Sequence, residues 1–179
     1  YQPTGLWKAL SHPASNTKNY KPDTGRMVYR RSLYVYWKRT SPHPMMTLFD
    51  APNRETSCVK RSRTNTPLQS LGLFNEKQRV EIARMFAERL LKERNSDEQR
   101  LDLMFNLLVC REPNDQERSA CNRLLNAMRK RYVNTDQDAK DLLNTGEVPR
   151  DKSLNPTEHA AWTQVAATVL ASDLALMLF

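Results

Sequence analysis

Two acids, Asp50 and Glu55, stand five residues apart in the stretch FDAPNRETSCVKRSRTNTPLQSL, with His43 a short way upstream. Paired carboxylates beside an imidazole could move protons in general acid–base catalysis, as hydrolysis of a glycosidic link requires. The same acids are equally suited to a structural role. Arg54, Lys60, Arg61 and Arg63 surround them, and guanidinium groups bind carboxylates through two parallel hydrogen bonds. A third chemistry comes from Arg30, Arg31, Lys38 and Arg39, which interleave with Tyr34, Tyr36 and Trp37. Rings of that kind stack on sugar or base faces while the cations neutralise sulfate, carboxylate or phosphate. The structural role is favoured, because a long loop with little apolar content must pair its backbone groups somewhere.

The charge is unevenly placed. The chain has 28 basic and 20 acidic residues, a net of +8, yet nine basic and only two acidic residues fall between Arg26 and Arg63. The rest of the chain is close to neutral. Nucleic acid is disfavoured as the partner of this segment, since no recognition helix or RNA-binding motif accompanies it. Cys58, Cys110 and Cys121 show no Cys-x-x-Cys spacing, and His12, His43 and His159 are far apart, so no metal or haem motif is present. No cofactor is expected. No apolar run approaches the roughly 20 residues of a membrane span. Only four glycines argue against a glycine-rich phosphate loop. The opening YQPTGLWKAL has neither an initiator Met nor a signal peptide, which reads as an internal, C-terminal or processed piece of a longer protein.

The elements that must hold these groups are legible mainly in the second half. Ser, Thr, Asp or Asn three residues before Glu or Gln forms a capping box, in which each side chain satisfies an orphan backbone donor. The pattern occurs at Thr66–Gln69, Asn75–Gln78, Ser96–Gln99, Asn114–Glu117 and Asn155–Glu158. Pro67 and Pro156 follow two of the caps, where a missing N–H costs nothing. Apolar stripes follow: Val80, Ala83, Ala87 and Leu90; Leu101, Met104, Phe105 and Leu108; Ala120, Leu124, Met128 and Tyr132; Trp162, Val165, Ala166 and Val169. Stripes this narrow, with charged opposite faces, predict a surface-exposed helical bundle with antiparallel middle helices. Helices should begin near positions 67, 76, 97, 115 and 156.

The expected architecture is therefore mainly α, a bundle of about five capped helices with a long, basic, irregular N-terminal half. We expect a single domain over 1–179. It divides into an irregular extension at 1–25, anchored by Leu6 and Trp7, a basic motif segment at 26–74, and antiparallel helices at 75–133. A mobile polar loop at 134–154, with a short turn at Ala139–Leu143, leads to a C-terminal helix at 155–179. Residues 26–40 are ambiguous between strand and helix, and lean to helix because no partner strand follows.

The run RRSLYVYWKRTSPHPMMTLFDAPNRETSCVKRSRTNTPLQSLGLFN resembles a planctomycete-specific C-terminal domain of unknown function that accompanies planctomycete cytochrome c domains. The resemblance rests on Arg30, Arg31, Ser32 and Tyr34; Lys38 and Arg39; and Phe49, Asp50, Pro52, Arg54 and Glu55. It continues through Arg63, Thr64, Asn65, Thr66, Pro67, Leu68, Gln69 and Leu71, and extends from about residue 1 to 172. At the end the chain departs from the family, running into ALMLF where an acidic Asn-x-Asp-Glu-Phe-like segment is usual. The resemblance implies the C-terminal part of an exported protein, periplasmic or at the cell surface, with preceding modules of its own polypeptide as partners. It implies no established reaction, and the companion haem motif is absent. The function expected is a noncatalytic interaction domain contacting anionic polysaccharide. The alternative is part of a polysaccharide-acting enzyme using Asp50, Glu55 and His43.

Asn114→Ala removes one such cap and should cost on the order of 1 kcal/mol in chemical denaturation.

Overall fold

The computed structural model describes residues 5–7, 12–14, 20–30, 33, 35–38, 40–53 and 55–176. It is helical, with no strand among the described residues. The chain divides into two compact units, Tyr1–Gly72 and Leu73–Phe179.

The first unit is held by aromatic packing and polar ties. Trp7 is buried against Tyr20 and Tyr36, with ring centroids 4.5 and 4.8 Å away. Its indole N–H donates to the Ser41 carbonyl at 2.7 Å, so its polar edge is satisfied as well. Among the described residues of 26–40 the expected helix does not form. A 3-10 turn spans Gly25–Tyr29, and the candidate stripe is not buried: Leu33 is 77% exposed. Tyr36 is instead drawn into the Trp7 cluster, and that tertiary contact outweighs the weak local periodicity. A short helix α1, Pro44–Leu48, is capped by His43, whose Nδ1 accepts from the Met45 amide at 3.2 Å. Helix α2, Pro67–Asn75, follows the basic loop. At Gly72 a Cβ would run into the Leu48 side chain, so the absence of one permits this close approach.

The second unit contains α3 (Lys77–Glu93), α4 (Asp97–Val109), α5 (Asp115–Asn134), α6 (Asp136–Leu143), α7 (Pro156–Leu170) and α8 (Asp173–Leu176). The long helices start where the caps predict. Asn114 and Glu117 make the full reciprocal box, while Ser96 and Asn155 each accept an amide of the first turn. At α3 the cap differs from expectation. Because α2 continues through Asn75, the chain breaks one residue later, and the Glu76 carboxylate accepts from the Arg79 amide at 2.8 Å. A carboxylate there also suits the positive end of the helix dipole.

Helix α7 is the centre rather than a surface helix. It packs against α3, α5 and α6, and His159, Ala160, Ala161, Trp162, Thr163, Val165, Ala166 and Val169 are all buried. From Ala160 onward it carries no charged residue, the mark of a helix covered on most faces. The expected mobile loop at 134–154 is also corrected. Its first half is α6, which buries Ala139 and Leu143 and places Asp136 and Asp138 in its first turn. The C-terminal helix ends at Leu170, with α8 as a separate turn.

Arg129 of α5 locks two helix starts together. Its guanidinium reaches both Asp97 oxygens at 2.7 and 3.0 Å and both Glu158 oxygens at 2.7 and 2.8 Å. The Arg129 hydrogen bonds hold the Asp97 carboxyl below the usual carboxylate range. Arg111 does the same for Glu117.

A carboxylate whose folded pKa is depressed stabilises above its unfolded pKa and loses that contribution as pH falls through the folded value. Asp97 and Glu117 therefore predict a steep fall in melting temperature below about pH 4. Arg129→Met should flatten the Asp97 part of that fall and lower the melting temperature at pH 7, since Asp97 and Glu158 then lose their shared guanidinium; a pH series of melts checks both.

Candidate functional site

The stretch that carries the candidate chemistry closes on one polar network. Asp50 adopts a left-handed backbone, φ 55°, which Asp tolerates better than most residues. Its carboxylate accepts from the Thr64 amide at 2.8 Å and from the Thr64 hydroxyl at 2.7 Å. These bonds lower the Asp50 pKa, the Thr64 hydroxyl contributing most. The Thr64 hydroxyl in turn accepts from Gln69 Nε2 at 2.8 Å, whose second proton goes to the Leu48 carbonyl at 2.9 Å. Gln69 Oε1 accepts from the Thr66 amide at 2.9 Å, and Thr66 Oγ1 accepts from the Gln69 amide at 3.3 Å. Thr66–Gln69 is thus a formed capping box whose glutamine also ties the end of α1. Buried Gln69 spends both amide protons and its carbonyl on protein partners, as a buried amide must.

The other predicted residues are distributed as follows. Asp50 is bonded to threonine where an arginine partner was expected. Glu55 is exposed, with its amide on Asn53. The His43 imidazole is a helix cap. Arg26, Lys60, Arg61 and Arg63 are exposed and make no ion pair among the described residues. Arg30 is exposed, while Trp37 and Lys38 are half-buried. Arg31, Tyr34, Arg39 and Arg54 lie outside the described residues. A carboxylate held ionised by hydrogen-bond donors is a poor general acid near neutral pH. The arrangement offers an exposed cationic loop braced at one end by Asp50, Thr64 and Gln69.

Sequence reading missed a second constellation, in the Leu73–Phe179 unit. Glu81, Arg84, Glu88 and Lys92 form one charged row along α3, and the segment 144–153 is fastened to it. Glu81, fully buried, accepts from the amides of Glu147 and Val148 at 2.9 and 2.7 Å. Arg84, also fully buried, donates to the Val148 carbonyl at 2.5 Å. Glu88 accepts from the Asp151 amide, and Lys92 bridges Glu88 and Asp151 at 2.7 Å each. At Gly146, φ 104°, a Cβ would run into the Glu81 carboxyl. The i, i+3, i+7, i+11 spacing was visible, but charged rows on helices are usually solvated and do not by themselves mark a buried strap.

Among the described residues no cluster of His, Cys, Asp and Glu could hold a metal ion, and no helix is long and apolar enough to cross a membrane. Asp50→Asn replaces the charged oxygen that accepts both Thr64 donors by a neutral and weaker acceptor. It should speed hydrogen exchange at the Thr64 and Gln69 amides and lower the melting temperature; unchanged exchange at both amides would show that Asp50 does not brace the start of α2.

No curated protein and no solved structure is significantly similar to the chain. A family model does match, over residues 4–125, which takes in the Asp50 network, the basic loop and the helices through the first half of α5. On that match the chain belongs to the family described as protein of unknown function (DUF1553).

Proposed function

We propose that the chain is a noncatalytic interaction domain whose cationic segment contacts an anionic polysaccharide. The observation that carries this reading is that Arg26, Lys60, Arg61 and Arg63 are exposed, without an acidic partner among the described residues. Structural arginines are spent on carboxylates or carbonyls, as Arg129 and Arg111 are in the helical unit. Unspent cations on a braced loop keep their charge for an outside partner. The resemblance to a planctomycete domain found with cytochrome c modules supports an exported, multidomain setting, and so a glycan rather than a nucleic acid. It also makes preceding modules of the same polypeptide natural partners. The enzyme reading loses support from the geometry: Asp50 is committed to Thr64, and His43 Nδ1 to the cap of α1.

Binding to a sulfated polysaccharide should weaken steeply as salt rises, because exposed charges are screened within about 10 Å at 0.1 M. Arg61→Ala with Arg63→Ala should lower affinity several-fold and flatten the salt dependence, since fewer counterions are then released from the polymer. Titration calorimetry at two salt concentrations checks both. Salt-insensitive binding to a neutral glycan, or turnover of any glycan by this chain alone, would overturn the proposal.

A further inference from the structure

The buried stripe on α3 holds more cation than its contacts use. Arg84 spends Nη2 on the Val148 carbonyl, but Nε and Nη1 are buried with no acceptor among the described residues. Glu81 does not supply one: its Oε1 lies 3.8 Å from Arg84 Nη2 and is taken by two strap amides. Two residues past Val148, Arg150 buries Nη1, again with no acceptor. Across from them on α7, His159 donates Nε2–H to the Arg84 carbonyl at 3.0 Å, since a carbonyl can only accept. That leaves Nδ1 buried and unpartnered, and one turn on, the Trp162 indole N–H is buried in the same condition. Leaving a buried guanidinium donor unpaired is costly, and replacing a buried charge by an apolar side chain is often neutral or stabilising. A fold that needed only to fasten the strap would do so without the spare donors.

We infer that Arg84, Arg150 and His159 form an internal site for a small inorganic oxyanion, roofed by the strap 144–153. The ligand class follows from the donors. Guanidinium groups match the oxygens of a tetrahedral or planar oxyanion, and an imidazolium adds a third donor once Nδ1 takes a proton. Nearby acids leave room for such an anion. Glu81 is occupied by the strap, Glu88 by Lys92 and the Asp151 amide, and Asp151 by Lys92 and Ser153.

Binding at this site is coupled to protonation of His159. The charged groups that act on the ring are Arg84 and Glu88 on α3 and Arg150 on the strap. Burial holds the ring below its ordinary pKa; the bond to the Arg84 carbonyl and the Glu88 charge oppose this, while the charges of Arg84 and Arg150 add to the lowering. An anion between those cations reverses that push, and by linkage the protonated ring binds the anion more tightly. This site goes beyond the surface proposed above and shares no residue with it.

The experiment is an NMR titration of the His159 ring against pH, with and without sodium sulfate at constant ionic strength set by sodium chloride. Sulfate should raise the His159 pKa in the wild-type chain by about half a unit or more, equivalent to roughly threefold tighter binding to the protonated form. Arg150→Gln, at a half-buried strap position, should abolish the shift while the chain stays folded, and Arg84→Gln should do the same if it folds. Arg61→Ala with Arg63→Ala should leave the shift intact, which separates this site from the exposed loop. A His159 titration indifferent to sulfate, or an equal shift in folded Arg150→Gln, would overturn the inference.

Discussion

A helix with Trp162, Val165, Ala166 and Val169 on its buried faces has almost nothing left to offer water, so α7 must be covered by neighbours. Helices α3, α5 and α6 do this, and the remaining features of the unit answer to it. Fully burying a tryptophan is a large contribution, about 3–5 kcal/mol by truncation, against a total stability of only about 5–15 kcal/mol. The polar groups carried in with the helix then need partners inside. Thr163 donates back to the His159 carbonyl at 2.7 Å, and His159 donates to the Arg84 carbonyl. The Asn155 cap and the Glu158–Arg129 pair fasten the start of α7 from outside the core.

Charge is used in two different ways. In Leu73–Phe179 three arginines are consumed by acids of other turns or helices: Arg129 by Asp97 and Glu158, Arg118 by Asp102 at 2.8 Å, Arg111 by Glu117 at 2.6 Å. Partly exposed pairs of this kind contribute little one at a time, but a fork shared by two carboxylates from different helices also fixes their positions. In Tyr1–Gly72 the exposed Arg26, Lys60, Arg61 and Arg63 have no acidic partner among the described residues, and the order of the loop comes from neutral donors around Asp50. Threonine and glutamine hold the backbone there while leaving the cations available. That division is what makes the basic loop a candidate for an outside partner.

The buried row on α3 stands between these two uses. Glu81 Oε1 is taken by two strap amides, whereas Arg84 is only partly satisfied, and both lie in a region where an unmatched charge is expensive. A site of this kind combines fold and function in the same residues. The strap is ordered by the groups that it covers.

The helix starts were legible in the sequence because a cap is a local bargain: a side chain and an amide three residues apart satisfy each other wherever the chain goes. Thr66, Ser96, Asn114 and Asn155 all act as read. The cationic segment was likewise legible, being a matter of composition. Where partners are distant in sequence, local reading failed for a physical reason. Asp50 is fourteen residues from Thr64, and nothing in the spacing says that a threonine rather than one of the surrounding arginines will reach it. The Tyr36 ring joins Trp7, and the described residues of the stripe over 26–40 are not helical as expected. The strap at 144–153 looked mobile because its polarity is that of a loop, and its anchors lie more than sixty residues earlier on α3. Local hydrogen bonding is written in neighbouring residues; which charges are buried, and against what, is decided only when the helices pack.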